Sequence, residues 1–78
     1  MKQYKLKSRE FVTQFWGKLG MTVVEDYFIE NEFKIFTYTT EEIVESGHVQ
    51  CIYSERKIDD YYVIPIECLQ EIYTLKII

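Results

Sequence analysis

SREFVTQFWGKLG, residues 8–20, sets Phe11, Val12, Phe15, Trp16 and Leu19 at the spacing i, i+1, i+4, i+5, i+8. That is one broad apolar stripe on an α-helix, and it predicts a helix over 8–19. The Ser8 hydroxyl can cap its first turn, and Gly20 can take the left-handed conformation that ends it. Two phenylalanines and the only tryptophan lie on the stripe, so a sheet formed by the rest of the chain has a face to pack against.

Around this helix the chain reads mostly as strand. Lys2–Lys7 alternates apolar Tyr4 and Leu6 with lysines, which suits a frayed lead-in or a short edge strand. Residues 22–30, TVVEDYFIE, are rich in β-branched and aromatic side chains and read as a strand. Asn31 and Glu32 then form a two-residue hairpin connection to a return strand over 33–39. Residues 40–46 remain open between two readings. Thr39 with Glu42 fits a capping box that opens a single helical turn stopped by Gly47; alternatively, Ser46-Gly47 is a hairpin turn joining a strand over 42–45 to a strand over 48–54. Glu55–Asp60 is a charged turn, 61–64 a short strand, and Pro65 presets the first turn of a second amphipathic helix over 66–76. The expected class is α+β: an N-terminal helix, a three- to four-stranded mostly antiparallel sheet, and a C-terminal helix. Seventy-eight residues make one domain, 1–78.

The charge is uneven. Residues 1–20 carry five basic side chains against one acid, and residues 21–78 carry four against twelve. An acidic body repels phosphate and argues against broad nucleic-acid binding. Lys2, Lys5, Lys7 and Arg9 leave a smaller alternative open, a nucleic-acid-binding regulator with a basic arm. Two cysteines, no apolar leader and no run of about 18 apolar residues point to a cytoplasmic chain with reduced thiols and no membrane span.

Enzymatic and cofactor chemistry finds little support. His48 and Cys51 alternate to opposite faces of a strand, so with Cys68 they make no metal site and no catalytic pair. Cys68 lies near an apolar stripe, where burial opposes reactivity. Glu25-Asp26, Glu41-Glu42 and Asp59-Asp60 are adjacent pairs that do not converge on a substrate. Gly17 and Gly20 fall at a helix end, where termination explains them better than phosphate binding does. No cofactor is expected. The helix–three-strand–helix order resembles the double-stranded RNA-binding domain in topology only. That family grips phosphate with basic residues at the start of its last helix, where this chain has Pro65, Ile66, Glu67 and Cys68, preceded by Asp59 and Asp60.

The remaining signal is tyrosine among acids. Tyr27, Tyr38, Tyr53, Tyr61 and Tyr62 fall on expected strands, close to Glu41, Glu42, Asp59 and Asp60. Tyrosine buries area at low entropy cost and recurs at interfaces, and surrounding acids steer a basic partner. These nine residues form the candidate partner-binding set. The expected function is a small non-enzymatic module that binds another protein with a basic surface, such as an inhibitor of a nucleic-acid-handling protein of the kind phages and mobile elements carry. A structural subunit or homodimer is the further alternative.

Overall fold

A computed structural model describes residues 1–73. It is α+β, with strand β1 (Gln3–Leu6), helices α1 (Arg9–Lys18) and α2 (Glu25–Asn31), then β2 (Val44–Ser46), β3 (Val49–Glu55), β4 (Tyr61–Pro65) and β5 (Leu69–Ile72). Single 3-10 turns at Thr40–Glu42 and Ile66–Cys68 precede β2 and β5. The strands form two antiparallel sheets, β1-β5 and β2-β3-β4. The α+β class and the antiparallel pairing are as expected, but a strand rather than a helix comes first.

Helix α1 forms where its stripe predicts. The Ser8 hydroxyl accepts a hydrogen bond from the Phe11 N–H at 3.2 Å, and Gly20 sits at φ +76° just past the helix end. The stripe is narrower than its composition suggests. Val12 is fully buried, Phe15 and Trp16 are half-buried, and Phe11 and Leu19 keep much of their surface in solvent.

Residues 22–30 correct the strand reading, because α2 begins at Glu25. The buried residues Tyr27, Phe28 and Asn31 recur at i, i+1, i+4, a helical stripe that the β-branched composition masked. Glu25 and Asp26 lie in the first turn, where carboxylates meet the positive end of the helix dipole. Arg9 then ties both ends of α2 to α1: it donates to Glu25 at 2.8 Å and, through a two-pronged contact, to Glu32 at 3.0 and 2.8 Å. Asn31 is therefore the last residue of a helix and not a hairpin turn. The return strand over 33–39 reduces to one bridge, in which Tyr4 and Phe36 exchange backbone hydrogen bonds of 2.8 Å.

Both readings of residues 40–46 hold in part, but the turn is Gly47-His48 instead of Ser46-Gly47, which moves His48 out of the strand. Thr39 and Glu42 form a capping box around a single 3-10 turn, and β2 and β3 form a hairpin across Gly47 and His48, at φ +56° and +70°. Two central residues at positive φ match the twist of paired strands.

The C-terminal helix is the second correction. After Pro65 one 3-10 turn gives way to β5, which pairs along β1 from Gln3↔Ile72 to Leu6↔Leu69. Ile66, Leu69, Ile72 and Tyr73 keep helical spacing, but β1 offers a backbone ladder that a helix could not satisfy, and that pairing overrides the local pattern. Residues 74–76 of that expected helix lie outside the described residues. The likeness to the double-stranded RNA-binding topology ends here, because its last helix is replaced by a strand.

One core joins these elements. Val12 of α1 and Tyr27 and Phe28 of α2 meet Ile52, Tyr62 and Ile64 on the inner face of β2-β3-β4, with Leu6, Phe36, Cys68 and Leu69 alongside.

Candidate partner-binding face

Antiparallel register decides what the other face of the three-stranded sheet presents. Tyr53 lies opposite Val63, Glu55 opposite Tyr61, and Cys51 opposite both Val44 and Pro65. Side chains alternate, so these residues share the face turned away from the helices. Cys51 and Pro65 are buried at one end of it. At the other end Tyr53 and Tyr61 are 56% and 59% exposed, with ring centroids 5.6 Å apart.

Carboxylates flank this pair on both sides. Toward β2, Glu41, Glu42 and Tyr53 line a cleft of about 350 Å³ together with Phe36, Thr37 and Val44. Beyond the far end of β3, Glu55, Asp59, Asp60 and Tyr61 line a second cleft of about 360 Å³ with Arg56. The acids divide by role. Glu42 closes the capping box, accepting from the Thr39 N–H and hydroxyl at 3.2 Å each. Asp60 accepts from the Tyr61 N–H at 2.8 Å and from Arg56 at 3.4 Å, which fixes the β3–β4 turn. Glu41 and Asp59 have no ion-pair or hydrogen-bond partner among the described residues, so their charge faces solvent.

Six of the nine candidate residues thus come together: Glu41, Glu42, Tyr53, Asp59, Asp60 and Tyr61. The other three stand apart. Tyr27 belongs to α2 instead of a strand, is buried, and donates its hydroxyl to the Val63 carbonyl at 3.0 Å; burial pushes its ionisation up. Tyr62 points to the inner face, with its hydroxyl on the Glu30 carboxylate. Tyr38 is half-buried and stacks on Tyr4 at 4.9 Å. Tyr27 and Tyr62 meet between α2 and the sheet, and Tyr38 packs against β1. The sequence reading missed Glu55 and Val63, although the period-2 alternation through Val49, Cys51 and Tyr53 already implied that Glu55 shares their face.

The basic residues at the N-terminus are partly neutralised. Arg9 is held by Glu25 and Glu32, and Lys2 approaches Glu71 at 3.4 Å. Among ligand-type residues, His48 is exposed in the β2–β3 turn, whereas Cys51 and Cys68 are buried free thiols. Burial pushes the Cys68 thiol up to about 12 and raises Cys51 as well, which suppresses the thiolate. Among the described residues, no helix is long and apolar enough to cross a membrane.

Comparison with protein-family models, with curated protein sequences and with solved structures finds no match to this chain.

Proposed function

We propose that the chain is a small acidic protein-binding module whose docking face is the strip Glu41–Glu42, Tyr53, Tyr61 and Asp59–Asp60. The observation that carries this reading is the exposed Tyr53–Tyr61 pair set between two acidic clefts. Paired aromatic rings on a rigid sheet supply contact area at low entropy cost. Unpartnered Glu41 and Asp59 supply attraction for lysine and arginine. The partner is a protein with a basic surface, such as the nucleic-acid groove of a nuclease or polymerase, and the module acts by covering that groove without chemistry of its own. Buried free thiols suit a cytoplasmic setting.

Charge reversal tests the reading. Full-length chain carrying Glu41→Lys and Asp59→Lys is compared with the unaltered chain as bait for proteins captured from lysate and identified by mass spectrometry. The expected result is a basic protein retained by the unaltered chain, released by salt, and bound at least about tenfold more weakly by the double variant. Equal retention by both baits contradicts the proposal. Nucleic-acid binding through the first turn is less favoured, because Arg9 and Lys2 already meet carboxylates.

A further inference from the structure

Among the described residues, strand β4 has a sheet neighbour on one side only. The Arg56 N–H bonds the Asp60 carbonyl at 3.1 Å, which fixes the parity of the ladder. Asp60, Tyr62 and Ile64 turn their backbone groups toward β3, and Tyr61, Val63 and Pro65 turn theirs outward. The outward positions are partly occupied. The Tyr61 N–H is held by the Asp60 side chain, the Val63 carbonyl accepts from the Tyr27 hydroxyl, and Pro65 has no N–H. The Tyr61 carbonyl and the Val63 N–H have no hydrogen-bond partner among the described residues.

One acceptor followed two residues later by one donor complements a single residue of a parallel strand, whereas an antiparallel strand needs two separate residues to make the same two bonds. In parallel pairing, one residue donates its N–H to position i−1 and accepts from position i+1. Here those positions are Tyr61 and Val63, with Tyr62 between them. Beside this edge the described residues form an apolar groove of about 240 Å³, lined by Trp16, Met21, Val23, Val24, Tyr61 and Val63 among others. The Trp16 indole N–H is buried at this groove, with its ring edge-on to Tyr27. At the end where β4 begins stand Asp59 and Asp60, which line the neighbouring cleft with Tyr61.

We infer that the β4 edge is a second recognition site, taking an extended peptide segment parallel to β4, with an apolar residue bonded between Tyr61 and Val63 and a basic residue just before it. The apolar side chain shares the face of Tyr62 and enters the groove toward Trp16 and Tyr27. The basic side chain, earlier in the peptide, lies over Tyr61 beside Asp59 and Asp60. Backbone pairing supplies affinity and the groove supplies side-chain selection, the division of labour in strand-addition complexes. The inference rests on the reading of the chain as a protein-binding module, and it specifies the local form of the partner.

The test is an NMR titration of the ¹⁵N-labelled full chain with the capped peptide acetyl-Ala-Arg-Leu-Ala-amide. The Val63 amide and the Trp16 indole N–H are expected to shift together and saturably. Methylating the leucine nitrogen, which removes the donor to Tyr61, is expected to weaken binding about tenfold, as is exchanging the arginine for glutamate. An unmoved Val63 amide, or equal binding by the N-methylated peptide, overturns the inference. If the arginine peptide shifts Glu41 and Tyr53 but leaves Val63 in place, the edge site falls while the acidic face stands. If it shifts neither region, the edge site falls, and the acidic face is decided by the charge-reversal capture.

Discussion

Asn31 shows how one polar side chain fixes the relation between helix and sheet. It is fully buried at the end of α2. Its amide donates to the Tyr27 carbonyl at 2.8 Å, and its oxygen accepts from the Ser54 hydroxyl at 2.7 Å, which in turn accepts from Lys34 at 2.8 Å. Removing it leaves the buried Ser54 O–H without its acceptor, so Asn31→Ala is expected to destabilise the fold by about 1–3 kcal/mol in urea denaturation. A change within error would mean the chain of bonds carries no net stability. The carboxylates of Glu30 and Glu32 make a second residue-scale expectation. Glu30 is held below its ordinary value of 4.5 chiefly by the Tyr62 hydroxyl, and Glu32 chiefly by Arg9. Both values are depressed in the folded state, so the stability they contribute is present above about pH 4.5 and is lost as pH falls through their native values. The Glu30→Gln, Glu32→Gln variant should therefore show a smaller drop in urea midpoint between about pH 5 and about pH 2 than the unaltered chain; an identical drop would refute the assignment.

At the scale of elements, legibility followed length and specific end signals. α1 was readable because ten residues carry a stripe with a serine cap and a terminal glycine. β3 and β4 were readable because alternation, a charged turn and Pro65 bound them. α2 was not, because Val23 and Val24 just before it and Tyr27, Phe28 and Ile29 within it carry β propensity, and its helical state depends on burial of Tyr27, Phe28 and Asn31 and on the distant Arg9. β5 was not, because its conformation is set by pairing with β1, more than sixty residues earlier in sequence. Of the candidate site, the acid pairs and Tyr53 and Tyr61 were legible from turn and strand pattern. Tyr27 was misplaced together with its helix, and Tyr62, one residue beyond Tyr61, turned to the inner face by alternation. The β2–β3 hairpin carries its own prediction. His48 adopts φ +70°, a strained conformation for a side chain with a Cβ. Replacing Gly47-His48 with Asn-Gly suits a turn with two positive φ values and should raise stability by about 1 kcal/mol. A loss of stability in thermal unfolding would show that the His48 side chain contributes more than its strain costs.

For the whole molecule, two helices and the inner face of one sheet close the core, and the opposite face is left to carry exposed tyrosines between acids. The division holds because the same strands alternate between the two faces: Ile52, Ser54, Tyr62 and Ile64 inward, Tyr53, Glu55, Tyr61 and Val63 outward. The most direct measurement is amide hydrogen exchange on the full chain, free and bound to the basic protein it captures. Protection gained on binding should fall within residues 40–55 and 59–63. Protection confined to Lys2–Lys18, with the β3 and β4 amides unchanged, would contradict a docking face built on Tyr53 and Tyr61.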